Sequence, residues 1–238
     1  MTTAFAIPIP SSWALLNETR FFWDIAQSVA RLPGLAFQPR GAGDPVVVEP
    51  GFSAGDASTA PQRLYMSLLG HDVRGWGLGI HGGDVPALLP RVIAETERCA
   101  VSTGARVRLV GWSLGGYLAR EVARERPDLV ERVVTLGSPI VGGPKYTAAS
   151  RAYQLRGIDL DAIEAEIAAR ENTPLQTPVT AIYSKSDGVV AWQACIDRYN
   201  PDVEHIEVFS SHVGLGIHAE VYALIAQRLA MAPVMTTA

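Results

Sequence analysis

Ser113 stands in Gly111-Trp112-Ser113-Leu114-Gly115, and the flanks of that pentapeptide give it chemical meaning. A short β-branched run, Arg106 to Val110, precedes it. A stretch with helical character, Gly116 to Arg126, follows and stops at Pro127. Strand, G-x-S-x-G, helix is the setting of a nucleophile elbow. The turn is so tight that the positions two before and two after the serine must be nearly free of side chain. Glycine also permits the backbone angles nearby. The serine is then held strained, with its oxygen lifted clear at the C-terminal edge of a sheet. The next helix aims its free N–H groups at the same place.

A serine hydroxyl is a poor nucleophile, so it needs a base and an acid that orients the base. In this arrangement both follow later in the chain, acid first and histidine last. Asp187 lies in the polar loop Ser184–Val190, just past an apolar run at 178–183 that reads as a strand. His212 lies in Ser211-His212-Val213-Gly214, just past the last predicted strand, 205–209. Ser113, Asp187 and His212 therefore fall at the carboxyl ends of three strands, the edge where open α/β sheets bind ligands. Competing residues fit less well. His205 and His71 begin strands, at the opposite edge. His218 opens the last helix and reads as a cap or a packed surface group. His81, in a glycine-rich loop, lines the pocket at most, because it precedes the serine. Asp197 sits in a helix-like run at 189–199, and Asp159 and Asp161 fall in an insertion. Two backbone N–H groups should face a developing oxyanion: that of Leu114, after the nucleophile, and that of Phe52 in Pro50-Gly51-Phe52, after the first core strand.

These residues carry a family resemblance. From about Asp44 to Leu229 the chain resembles α/β-hydrolases of the esterase and lipase kind, and within them bacterial serine hydrolases with a Pro-Gly-Phe oxyanion loop. The matching segments are Gly75-Trp-Gly-Leu-Gly79, Gly111-Trp-Ser-Leu-Gly-Gly116, Thr135-Leu-Gly-Ser-Pro139, Ser184-Lys-Ser-Asp187 with Gly188-Val-Val190, and Ser211-His-Val-Gly214. The resemblance implies hydrolysis of a small ester or lipid through an acyl-enzyme, without a cofactor. One departure is Pro50, where many lipases place histidine. It leaves backbone donation intact and weakens any transfer of substrate class. Acyl transfer from the same serine, or a binding protein that keeps the fold without catalysis, are the alternatives.

The elements that must position the site alternate. Strands are predicted at 45–49, 71–76, 106–110, 131–136, 178–183 and 205–209. Helices are predicted at 57–69, 84–102, 114–126, 189–199 and 217–231. This order makes an α/β fold with a mostly parallel six-stranded sheet flanked by helices. An insertion at 140–176, carrying a helical Leu160–Arg170, leaves the sheet at the catalytic edge and is expected to form a small cap. The whole chain, 1–238, is expected to be one domain. Ahead of the first strand, a helix at about 12–31 is predicted, with Ser11 or Ser12 as cap and Pro33-Gly34 as stop. Its Trp13, Leu16, Phe21, Phe22 and Trp23 are expected to pack on the domain's own flank, a contact between copies or a lid being the rival uses.

Composition narrows the class. Hydrophobic residues make up 48% and charged residues 18%, as a sheet buried on both faces requires. No run reaches the length of a membrane-spanning helix. A net charge of −4 without a basic run argues against nucleic acid. No Cys/His/carboxylate cluster has metal-ligand spacing. The start, Met1–Pro10, lacks the basic residues of a secretion signal. Cys99 and Cys195 sit in predicted helices and are expected to be free and buried, which favours a reducing cytoplasm.

Overall fold

The computed structural model describes residues 7–11 and 13–232. Residues 1–6, at the start of the segment read as lacking a secretion signal, and Ser12, one of the two predicted caps, lie outside the described residues.

Alternation of β-branched runs with amphipathic ones builds the core. The strands are β1 Pro45–Glu49, β2 Asp72–Gly75, β3 Val107–Trp112, β4 Val130–Leu136, β5 Val179–Tyr183 and β6 Glu204–Glu207. They form one sheet in the order β2-β1-β3-β4-β5-β6, every neighbour parallel. The helices are α1 Phe21–Leu35, α2 Ala60–Leu68, α3 Val85–Thr103, α4 Leu114–Glu125, α5 Ser150–Leu155, α6 Leu160–Arg170 and α7 Ala219–Leu229. This is the α/β-hydrolase fold expected from the sequence. Alternate residues of β1 serve opposite faces: Val47 joins a core with Leu109, Leu118 and Val122, while Val46 and Val48 join one with Met66, Val221 and Ile225.

Register aligns the chemistry. Glu49 pairs with Gly111, Trp112 with Leu136, Leu136 with Ile182, and Tyr183 with Glu207. The strands thus finish at nearly one level, and the loops after β1, β3, β4, β5 and β6 open on one edge. The helix after the elbow, α4, is held firmly. Its Arg120 reaches Glu171 at 3.0 Å and Asp197 at 2.5 Å, all three buried. Asp197, the rival acid, is thereby committed to an ion pair with Arg120. Asp159 accepts from the N–H groups of Asp161 and Ala162 and caps α6, while Asp161 pairs with Lys145 at 2.6 Å.

Three elements depart from expectation. The predicted helix at 189–199 is only a 3-10 turn, Trp192–Cys195. Its leading residues are drawn out instead against the insertion: Ala148 N–H donates to the Val189 carbonyl, Ala191 N–H to that of Tyr146, and Thr147 bridges Val190. Backbone groups spent on those partners cannot close helical turns. The predicted helix at 12–31 is a 3-10 stretch, Ala14–Arg20, followed by α1, which runs past Pro33 to Leu35, and no side-chain cap opens either. The last helix starts at Ala219. His218 precedes it without making a cap, and it is fully buried rather than a surface group.

The face α1 turns inward is also not the expected one. Asp24, Ser28 and Leu35 are buried, while Trp13 and Phe22 are 79% and 76% exposed and Leu16 and Trp23 also face outward. Polar partners on the far side select the inward face, since a buried carboxylate needs them and exposed aromatics do not. Both cysteines are buried and free. Among the described residues no helix is long and apolar enough to cross a membrane.

Candidate active site

The elbow takes the shape its spacing implies. Ser113 has φ 56° and ψ −123°, a conformation costly for a residue with a side chain. A methyl group on Gly111 would strike the backbone of Gly116, and one on Gly116 would strike Ser138 and the Gly111 carbonyl. Strand and helix therefore cross closer than any Cβ allows. The Ser113 N–H donates to the Leu136 carbonyl at 2.7 Å, which ties the elbow to the neighbouring strand.

Asp187 and His212 are brought together from adjacent strand ends. Asp187 Oδ2 lies 2.6 Å from His212 Nδ1, and both side chains are buried. The other carboxylate oxygen accepts from the N–H groups of Val189 at 2.8 Å and Val190 at 2.7 Å. A carboxylate only accepts, so Nδ1 carries the hydrogen and Nε2 keeps the lone pair. Burial by itself would lower the His212 pKa. The charge and hydrogen bond of Asp187, joined by the charge of Glu18, outweigh it and hold the imidazole above its ordinary 6.5. Gly137, at φ 54°, makes room for the pair: a Cβ there would lie 3.0 Å from Asp187 Oδ2 and 3.1 Å from His212 Nδ1.

Ser113 and His212 line one cavity of about 240 Å³, together with Gly51, Phe52, Leu114 and an apolar wall. The insertion supplies Pro144, Thr147, Ala149 and Tyr153 to that wall. Phe52 and Tyr153 pack ring to ring at 5.6 Å. Ser53, beside Phe52, is the other non-glycine residue with positive φ among those described, at 58°. Its loop is stitched to residues 77–83: Ser53 N–H donates to the His81 carbonyl at 2.9 Å, and His81 N–H to that of Ala54 at 2.8 Å. Among the described residues neither Phe52 nor Leu114 spends its N–H on a protein acceptor. Both residues line the cavity that Ser113 lines, so two uncommitted backbone donors belong to its walls.

His81 does not line this cavity. It is buried, stacked on Trp76 at 5.0 Å, and burial lowers its pKa to about 4. His205 Nε2 accepts from the Asp197 N–H at 2.9 Å, away from the serine. His71 is buried beside Asp44.

Residues not singled out from sequence also shape the site. Trp112 Nε1 donates to the His212 carbonyl at 3.2 Å. Asp56 accepts from the N–H groups of Trp76 at 3.0 Å and Gly77 at 3.2 Å and shapes the loop that backs the Phe52 turn. Glu18 and Asp24 reach in from the N-terminal segment. Asp24 Oδ2 accepts from the Ser211 N–H at 3.0 Å and the Ser211 hydroxyl at 2.7 Å.

Comparison with known proteins agrees with this architecture. Over 112 residues the chain is 31% identical to the pimeloyl-[acyl-carrier protein] methyl ester esterase of Vibrio atlanticus (strain LGP32). That match covers 46% of this chain and 38% of the relative, so the chain spans well under two thirds of that protein. Among solved structures, the α/β superfamily hydrolase of Oenococcus oeni PSU-1 superposes with a TM-score of 0.57 at 18% identity, over 79% of this chain and 92% of that one. The monoacylglycerol lipase of Paleococcus ferrophilus superposes with a TM-score of 0.56 at 15% identity, over 79% and 95%. No protein-family model matches the chain. At these identities the structural likenesses establish the fold.

Proposed function

We propose that this chain is a serine hydrolase that cleaves carboxylic esters of short to medium acyl chains through an acyl-enzyme. The observation that carries the reading is the Asp187–His212 pair, 2.6 Å apart, at the cavity where Ser113 sits with φ 56°. Three residue types on three strand ends, in the order the fold uses, have no evident purpose in a scaffold.

His212 Nε2 takes the proton of Ser113 as its oxygen attacks the ester carbonyl. Asp187 holds the imidazole by Nδ1 and stabilises its charged form. The Phe52 and Leu114 N–H groups receive the oxyanion. His212 then protonates the leaving alcohol, and water, activated the same way, releases the acid. Acyl size is inferred from the cavity. At about 240 Å³, with Phe52, Pro139, Pro144, Tyr153 and Val190 in its walls, it lies just below the usual range of ligand sites. The methyl ester esterase activity in the name of the Vibrio atlanticus relative supports ester chemistry here.

The test is covalent labelling with a fluorophosphonate, read beside hydrolysis of p-nitrophenyl butyrate. Wild type should label and turn over. Ser113→Ala should lose the label and keep less than about a thousandth of the activity, on the scale of triad knockouts. Retention of more than about a tenth would assign the chemistry elsewhere.

A further inference from the structure

The base and its acid sit on two separate loops, and a third piece of chain ties them together. Glu18 lies in the 3-10 stretch Ala14–Arg20, and the backbone groups its carboxylate accepts from stand 170 to 195 residues further along the chain. Its Oε1 accepts from the Gly188 N–H at 2.9 Å, next to Asp187, and from the His212 N–H at 3.0 Å. Its Oε2 accepts from the Val213 N–H at 3.0 Å. One carboxylate thus spans the acid loop and the base loop, and it grips the base residue by its own backbone.

We propose that Glu18 is a positioning residue: it holds the Asp187 and His212 loops at the separation their side chains need, and its charge faces the imidazolium formed during turnover. The inference rests on His212 being the base. Charge-assisted hydrogen bonds to backbone N–H groups are strong, and catalytic geometry is unforgiving at the ångström scale. The other ionisable groups around His212 are accounted for. Asp187 holds Nδ1, Asp24 on α1 is engaged by Ser210 and Ser211, and the Cys195 thiol is buried, which raises its pKa. Glu18 is therefore the second carboxylate that favours the charged imidazole, in agreement with the raised His212 pKa. A bystander on the protein's flank would engage solvent or one loop. Glu18 engages both loops, with three backbone donors.

The experiment compares Glu18→Gln and Glu18→Ala with wild type, with Phe22→Ala as a control on the same segment, its ring exposed to solvent. Glutamine keeps the size but loses the charge, and its NH2 cannot accept from Val213. Both Glu18 variants should lose about tenfold or more in kcat with KM nearly unchanged. Their acid limb, and the NMR titration of the His212 ring protons, should move to lower pH. Phe22→Ala should match wild type in all three. Glu18→Gln carries the test should Glu18→Ala fail to fold. The proposal is overturned if kcat and the His212 titration of Glu18→Gln both match wild type. It is equally overturned if lost activity returns in full once the variant is assayed well below its melting temperature. Ser113→Ala and His212→Ala separate the two levels. If those variants stay active, the hydrolase reading fails; if they are dead while the Glu18 variants are unaffected, only this inference fails.

Discussion

Glu49 closes β1 one residue before the Pro50-Gly51-Phe52 turn, and its side chain is 0% exposed. Neither carboxyl oxygen has a hydrogen-bond partner among the described residues, and no cation pairs with it there. Burial raises its pKa well above the ordinary 4.5. The fold therefore keeps this carboxyl protonated to higher pH than the unfolded chain does. The folded state binds the extra proton, so stability falls as pH rises above about 4.5. Each pH unit costs about 1.4 kcal/mol for one proton. Glu49→Gln has nearly the same shape and cannot ionise. Its stability relative to wild type should rise by about 2.7 kcal/mol over two pH units while the wild-type carboxyl stays protonated in the fold. The constant offset from swapping one carboxyl for an amide does not enter that slope. The histidines titrate alike in both proteins and cancel in the difference. Urea unfolding followed by tryptophan fluorescence, at constant ionic strength and pH steps between about 5 and 8, measures it. A stability difference that stays flat across that range would show Glu49 ionised in the fold and refute the reasoning.

Further expectations concern the site itself. Because Asp187 and Glu18 hold His212 above its ordinary 6.5, kcat/KM should fall as pH drops through an apparent pKa above that value, where the base becomes protonated; a midpoint below it in a pH–rate profile would contradict the pairing. Gly137→Ala adds a Cβ at φ 54°, against Leu215, Asp187 and His212. It should cost roughly 1–2 kcal/mol for the backbone angle and lower kcat more than stability alone explains, as read by thermal melts beside kinetics. With p-nitrophenyl esters of rising length, rates should peak at short to medium acyl chains. Soluble tributyrin should be cleaved without an emulsion, and a rate that jumps only above the solubility limit would mark an interfacial lipase instead.

What the sequence determined by itself is local or periodic. The elbow is a contest between neighbours: a strand must turn into a helix within a few residues, and only glycines at 111, 115 and 116 leave the space, so the pattern reads directly. The order of strands reads because parallel β-α units repeat, and strand ends bring the loops of Ser113, Asp187 and His212 to one edge. The Pro50-Gly51-Phe52 turn reads for the same reason. What only the tertiary structure decided depends on partners far along the chain. The 189–199 run has helical composition, yet its backbone groups bind residues 146–148 of the insertion. By sequence the N-terminal segment reads as an aromatic face seeking a core. Instead Asp24 and Glu18 face inward, because N–H and hydroxyl groups near residues 188 and 210–213 offer them partners that no local pattern announces. Gly137 reads as an ordinary strand-end glycine until Asp187 and His212 arrive beside it. Helical and strand preferences act between near neighbours, so they show in a window of sequence. A buried carboxylate is placed by whichever donors the finished fold brings to it, so its role appears only once the chain has closed.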